Sequence, residues 1–207
     1  MKKTYSAVIA GGLAIAAVIT GGSRLRAQVG STGSSGIPLS SLAGNFAGEA
    51  SSNYGVCFNK NFTAVQSCSG TPVAQIVPFV DNATSRSTVN TSGGSCSEIV
   101  DINAPLFPGP QPAGVFDYIF VGVLTSYNPA TGSGNTSYKI YIAGPGVTCR
   151  GATFVNTARA PVSYTATNHF VVSEKGNRVD AVLLTFHTIS PVDFIAGDVS
   201  HGFALRQ

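Results

Sequence analysis

The absence of helical periodicity is the feature that most constrains the fold of this 207-residue chain. No window of about a dozen residues keeps apolar side chains at the i, i+3, i+4, i+7 spacing, because Gly, Pro and β-branched residues interrupt every such stripe. Segments rich in Val, Ile, Phe, Tyr and Thr instead alternate with short turn-forming clusters. The sequence therefore predicts an all-β protein.

The same pattern predicts about nine or ten strands, at residues 42–49, 55–65, 73–81, 97–103, 116–127, 136–143, 149–156, 162–174, 178–188 and 194–206. Their connections are short, whereas parallel strands need crossovers of about a dozen residues or more. We therefore expect an antiparallel meander. A barrel and a two-sheet sandwich both fit, and we favour the barrel because closure removes strand edges that few charged residues protect. The strand at 116–127 begins apolar on both faces, which predicts either a central strand of a sandwich or cover by a second layer or subunit.

The first 27 residues have the composition of a secretory signal peptide. Lys2 and Lys3 precede a short apolar run, and Ala27 is a small residue at a plausible cleavage point. The run is shorter than the about 20 residues of a membrane span. Residues 28–41 predict a flexible Gly/Ser-rich leader, and residues 42–207 predict one antiparallel β domain. We expect a secreted or periplasmic mature chain with no membrane span.

Cleavage would change the formal charge from +3 to −1, because four of the twelve basic residues lie in the signal segment. No basic patch remains, which argues against a nucleic-acid partner. The chain has no CxxC pair and no His at ligand spacing from a Cys, so we expect no metal site and no cofactor.

The chain has four cysteines, Cys57, Cys68, Cys96 and Cys149. An even number behind a secretory signal predicts two disulfides rather than reactive thiols. Three pairings are open. We favour Cys57–Cys68, which closes a short hairpin, together with Cys96–Cys149, which joins distant segments.

Residues able to carry chemistry are scattered. The chain has three histidines, at His169, His187 and His201. Alternation along the strands groups His187 with Leu183, and it places His201 on a face with Phe203 and Leu205 that we expect to point inwards. No spacing among the nine acidic residues predicts the paired carboxylates of a glycosidase, and neither G-x-S-x-G nor S-x-x-K occurs in the mature chain. The sequence therefore favours a function other than catalysis.

Aromatic residues provide the candidate binding site. Tyr118 and Phe120 share one face of their strand, and Tyr138 lies on the strand predicted to pair with it. Such a wall suits an apolar pocket, and it equally suits a packed β core.

The opening strand resembles that of calycin-type barrels such as lipocalins, through Gly44 and Phe46. That family has a Gly-x-Trp on its first strand and an Arg near the C-terminal end that packs over the Trp. Phe46 stands where the family has Trp, and Arg206 is the candidate for the Arg. The chain also resembles short secreted bacterial β proteins without assigned activity.

These observations predict a secreted, disulfide-stapled barrel that binds a small apolar ligand or a partner surface. One alternative is a structural envelope or extracellular component without a pocket. Another is a barrel enzyme similar to allene oxide cyclases, in which His and Asp line the mouth. A cavity of a few hundred Å³ favours binding, whereas the enzyme requires a histidine to meet an acid in a cleft.

Overall fold

Antiparallel strands form a closed barrel, as the sequence predicts. The computed structural model describes residues 36–61, 75–106, 113–188 and 195–207. The strands are β1 (Gly44–Phe58), β2 (Gln75–Val89), β3 (Ser95–Pro105), β4 (Gly114–Asn128), β5 (Ser133–Ile142), β6 (Val147–Arg150), β7 (Thr153–Asn156), β8 (Tyr164–Ser173), β9 (Arg178–Thr188) and β10 (Ile195–Arg206). Short 3₁₀ turns lie at Leu39–Leu42 and Glu174–Gly176. Neither helical turn is long and apolar enough to cross a membrane, and the described residues contain no other helix.

The barrel strands follow the order β1–β10–β9–β8–β5–β4–β3–β2, and β2 pairs again with β1. Consecutive barrel strands are therefore neighbours, and only β6 and β7 leave the meander. The two hairpins that the sequence predicts most clearly are confirmed as β4–β5 and β8–β9. The choice of a barrel over a sandwich is also confirmed.

β1 differs from its prediction. The sequence predicts two strands, at 42–49 and 55–65, whereas the structure has one continuous strand from Gly44 to Phe58. The polar residues Ser51 and Asn53 stay in the ladder, between β2 and β10. Their side chains lie on the outer face, where solvent satisfies them, so their polarity does not end the strand. Residues 62–65 of the second predicted strand lie outside the described residues.

Strand alternation gives the barrel an inner and an outer face. Phe46 pairs with Ser87, Ser87 with Ser97, and Ser97 with Phe120. These positions share the inner face, because directly opposed residues of neighbouring strands point to the same side of a sheet. The next inward residue on any strand is two positions away, about 7 Å along the barrel.

The hairpin β6–β7 covers part of the outer wall. Ile119 of β4 points outwards, yet it is only 3% exposed because it packs with Val147 of β6 and with Cys96 of β3. Tyr141 and Phe154 extend this outer cluster, with ring centroids 4.3 Å apart. The middle of the strand that is apolar on both faces is therefore covered by a second layer from the same chain, whereas Val115 and Val123 of β4 are 66% and 61% exposed.

A disulfide fixes this hairpin to the barrel. Cys96 on the outer face of β3 is bonded to Cys149 of β6, which confirms the predicted pairing. Cys57 is also disulfide-bonded. The predicted partner of Cys57, Cys68, lies outside the described residues.

Arg206 closes one end of the barrel. Its guanidinium lies 5.0 Å from the centre of the Phe46 ring and donates to the carbonyls of Ser41, Ala43 and Gly176. A side chain on Gly44 would place its Cβ 2.6 Å from the Arg206 Nη1 atom, so this position requires glycine. The single cation thus ties β10 to the 3₁₀ turn before β1 and to the β8–β9 connection.

Replacing Cys149 by Ser should lower the free energy of unfolding by about 2–4 kcal/mol, because the disulfide closes a long loop in the unfolded chain. The eight barrel strands should still form, since β6 is outside the barrel. Urea unfolding monitored by circular dichroism measures both. Thr148→Ser is the control, because it changes the exposed residue next to Cys149 on β6 and keeps its hydroxyl. Equal unfolding midpoints for Cys149→Ser and wild type would contradict the structural role of this bond.

Replacing Arg206 by Lys should destabilise the protein by about 2–4 kcal/mol, because an ammonium cannot reach the three carbonyls in the geometry of a guanidinium. Arg86→Lys is the matched control, since Arg86 is exposed on the outer face of β2. Thermal and urea unfolding of both variants measure the difference. If both variants lose equal stability, Arg206 does not hold the closed end together.

Candidate functional site: the barrel interior

A cavity of about 260 Å³ lies inside the barrel. Residues with small side chains line one wall, on β1 and β10: Ala50, Ser200, Gly202 and Ala204. In the strand order, β1 lies opposite β5 and β10 lies opposite β4. The opposite wall carries the large side chains of Phe120, Leu124 and Tyr138. The cavity exists because the small side chains of β1 and β10 do not fill the space beside the large side chains of β4 and β5.

The structure brings the three predicted binding aromatics together. The rings of Phe120 and Tyr138 lie 5.8 Å apart across β4 and β5, and Tyr118 lies 6.5 Å from Phe120. Phe120 and Tyr138 line the cavity. Tyr118 is not among the residues that line it and instead meets Tyr164 of β8 edge-on, with ring centroids 5.8 Å apart.

Asn168 adds a polar group to the mostly apolar cavity. Its Nδ2 donates to the Tyr138 hydroxyl at 3.4 Å, and its Oδ1 is buried without a hydrogen-bond partner. Burial raises the pKa of Tyr138 above its ordinary value. The hydroxyl therefore stays protonated at neutral pH and can still donate.

A pair of carboxyl groups, which the sequence analysis did not predict, lies on the inner face. Asp81 pairs with Asn103, and Asp101 pairs with Ala83, so the two acids are diagonal neighbours on β2 and β3. No spacing in the sequence predicts this pair, because twenty residues separate these acids and only the β2–β3 register aligns them. The sequence held one signal for an inward-facing acid: strand alternation places Asp81 on the same face as the apolar Phe79.

Asp101 is the more strongly perturbed acid. It is 7% exposed, its Oδ2 accepts from Asn103 at 3.2 Å, and its Oδ1 has no partner. Burial, and secondarily the charge of Asp81, raises the pKa of Asp101 from 3.8 to about 7. Burial also raises the pKa of Asp81, although Ser52 donates hydrogen bonds that partly offset it. Both carboxyls therefore lie where charge is costly.

Tyrosine hydroxyls surround the acids. Tyr118 has a pKa well above its ordinary value, first because of burial and then because of Tyr164 and Asp101. Tyr54 of β1 stacks on Phe79, with ring centroids 5.6 Å apart, on the side away from the cavity. Beyond it, Val56, Phe58 and Val77 form an apolar layer.

The three histidines are not part of this interior. His169 points outwards from β8, and its Nδ1 lies 2.9 Å from the Asn135 Oδ1. His187 is exposed on the outer face of β9. The predicted grouping of His187 with Leu183 was wrong, because a bulge opposite Thr167 and Asn168 shifts the alternation and turns Leu183 into the cavity.

The predicted inner face of β10 was also wrong. His201, Phe203 and Leu205 point outwards, and Phe203 and Leu205 are 37% and 40% exposed. Alternation separates the two faces of a strand but does not say which face is inner. Gly202 and Ala204 take the inner face, because the aromatic residues of the opposite wall already occupy much of the interior.

No three His, Cys, Asp or Glu side chains lie together as a metal site in the described part of the chain. No protein-family model, no curated protein and no solved structure matches the sequence. The side chains inside the barrel are therefore the basis for inferring a function.

Asp101 should make stability depend on pH. Its pKa is higher in the folded protein than its ordinary value, so its contribution to stability falls between about pH 4 and pH 7 and stays low above that range. The side chain in Asp101→Asn does not titrate, so the stability of this variant should fall less between about pH 4 and pH 7. At pH 8 it should exceed the wild type in stability by about 1–3 kcal/mol.

Thermal unfolding of both proteins from pH 5 to pH 8 measures this effect. Asp117→Asn, the same change on the outer face of β4, is the control and should follow the wild type. Parallel pH profiles for Asp101→Asn and wild type would show that Asp101 does not hold a raised pKa.

Proposed function

We propose that this protein binds a small, mainly apolar ligand inside its barrel. The observation that carries the proposal is the cavity of about 260 Å³ between the small side chains of β1 and β10 and the aromatic side chains of β4 and β5. An engineered apolar cavity of about 150 Å³ already binds benzene, and natural ligand pockets begin at about 300 Å³. The volume therefore suits a ligand of one to three aromatic rings, or an aliphatic molecule of similar size.

The energetics of packing support this proposal. Residual cavity volume costs about 24 cal/mol per Å³ in a protein core. Larger side chains at Ala50 or Ala204 would recover part of this free energy, since both residues border the empty space. A bound ligand supplies the missing contacts.

Secretion is part of the proposal. The signal peptide at residues 1–27 and the leader at 28–41 are sequence predictions, and residues 1–35 lie outside the described residues. The Cys96–Cys149 disulfide is compatible with an oxidising compartment. We infer a secreted or periplasmic binding protein.

A relationship to calycins remains a proposal supported by two features. The eight barrel strands follow one another around the barrel, as in an up-and-down β-barrel. Arg206 packs over Phe46, the contact that the resemblance implies. Phe46 in place of Trp is a departure from the family pattern.

A partner surface is the second candidate. Apolar residues are exposed on the outer faces of β8, β9 and β10: Val171, Val182, Leu184, Phe203 and Leu205. Such exposure favours contact with another macromolecule. This surface lies on the outer face of the barrel, and Val182 and Phe203 also border the cavity.

The remaining alternatives receive less support. A structural component without a pocket requires a filled interior, whereas this barrel holds a cavity. A histidine-based enzyme requires His169, His187 or His201 to meet an acid in a cleft. These histidines point outwards, while Asp81 and Asp101 point inwards.

Ala50→Leu should abolish ligand binding, because its longer side chain enters the cavity above Gly202. Ala47→Leu is the matched control, since Ala47 lies on the same strand but faces outwards. The fluorescence of N-phenyl-1-naphthylamine, a neutral apolar probe of fitting size, reports binding. We expect saturable binding by wild type and Ala47→Leu, and at least tenfold weaker binding by Ala50→Leu.

Thermal unfolding separates loss of the cavity from loss of the fold. Ala50→Leu should melt at the same temperature as the wild type or higher, because the new side chain fills empty space. Equal probe affinity for Ala50→Leu and wild type would move the site away from the cavity.

A further inference from the structure

The barrel interior has hydrogen-bond acceptors without donors. Three buried side-chain oxygens in the described residues lack a partner: Asp101 Oδ1, Asn103 Oδ1 and Asn168 Oδ1. All three side chains are on the inner face, and all three atoms accept hydrogen bonds. A buried polar group without a partner is rare and costly. The group missing from this interior is therefore a donor.

The interior also has negative charge without a positive partner. Arg178 forms its ion pair with Asp180 at the surface, at 2.7 Å. Arg206 faces inwards but lies at the closed end, about 20 Å along β1 and β10 from the level of Asp81 and Ser52. The other basic residues of the described chain are exposed: Lys60, Arg86, Lys139, Arg150, Arg159 and Lys175. None of these cations neutralises Asp81 or Asp101.

The acids adjoin the cavity. Ile99 of β3 lines the cavity, and Asp101 is the next inward residue on that strand, about 7 Å further along. Ala50 of β1 lines the cavity as well, and the next inward residue, Ser52, hydrogen bonds with Asp81. The acids thus form an acidic end of the interior, one inward position beyond the residues that line the cavity and on the side away from Arg206.

We propose that the barrel binds an apolar amine, with its protonated amino group between Asp81 and Asp101 and its hydrocarbon part in the cavity between Ala50 and Phe120. This inference rests on the proposed ligand-binding function and specifies the class of ligand. An ammonium group has three donors and one positive charge, which are the two properties that the acidic end lacks. The Asp101 Oδ1 and Asn103 Oδ1 atoms accept hydrogen bonds from two of these N–H groups.

The charges around Asp101 give this binding a pH dependence. The titratable groups next to Asp101 are Asp81 from β2 and Tyr118 from β4, and Tyr118 in turn is next to Tyr164 from β8 and Tyr54 from β1. Burial raises the pKa of Tyr118, which keeps it neutral near pH 7, so the two carboxyls decide the charge. An ammonium beside Asp101 favours the ionised carboxylate and lowers its pKa. Amine binding should therefore release a proton and weaken as the pH falls below about 7.

The test compares two ligands of nearly equal shape, 1-naphthylmethylamine and 1-ethylnaphthalene. Each displaces N-phenyl-1-naphthylamine from the protein, and the displacement curve gives its dissociation constant. At pH 8 we expect the wild type to bind the amine at least tenfold more tightly than the hydrocarbon. At pH 5.5 this preference should shrink several-fold.

Asp101→Asn should reduce the preference at pH 8 to less than threefold without weakening the hydrocarbon. Asp117→Asn, on the outer face of β4, should keep the full preference and controls for net charge. Asp81→Asn is the second variant, because it removes a charge from the same cluster while leaving Asp101 in place. The preference of Asp81→Asn for the amine over the hydrocarbon should also fall. This variant therefore tests the proposal even if Asp101→Asn folds poorly.

Three outcomes would overturn the proposal in distinguishable ways. Equal binding of the amine and the hydrocarbon by wild type would refute the amine and leave the apolar cavity as the site. A preference that survives both Asp→Asn changes would place the amino group elsewhere. Failure of the probe and both ligands to bind would refute the ligand-binding function itself.

Discussion

Closure of the barrel through the β1–β10 ladder is the interaction on which the other features depend. It runs from Phe46 opposite Arg206 to Val56 opposite Ile195 and joins the first barrel strand to the last. Because backbone hydrogen bonds close this seam, the barrel has no edge strand and its strands enclose a distinct inner face. The cavity and the buried carboxyls lie on this inner face. Arg206 strengthens the seam at its end, where it joins β10 to residues before β1.

The two walls of the barrel interior differ in residue size, and this difference creates the cavity. β1 and β10 contribute Ala50, Gly202 and Ala204, whereas β4 and β5 contribute Phe120 and Tyr138. A uniform mixture of medium-sized residues would fill the interior more evenly and give a more stable core. The outer hairpin packs Ile119, Val147 and Phe154 into a separate cluster on the outer wall. The space that the proposed function uses thus lies on the inner side of the barrel wall.

Local features of the chain could be predicted from sequence, whereas features that depend on register could not. The β4–β5 and β8–β9 hairpins follow from alternation and turn residues, and the Cys96–Cys149 bond agrees with the pairing favoured among three open ones. The inner face of β10 could not be assigned, because the bulk of Phe203 indicates burial while closure of the barrel decides which face is inside. The bulge that redirects Leu183 depends on the partner strand. The meeting of Asp81 and Asp101 requires the exact β2–β3 pairing, which single-strand patterns do not contain.

Acidic residues affect stability differently on the two faces of this barrel. Asp180 lies at the surface, where water and Arg178 satisfy it, and such an exposed pair contributes little to stability. Asp101 has the same side chain but is enclosed, shares its surroundings with Asp81 and holds an oxygen without a partner. Its burial lowers stability at neutral pH, so the fold alone gives no reason for an acid at this position. A donor carried by the proposed ligand would supply a reason, and the proposal therefore rests on the inner acids rather than on the outward-facing histidines.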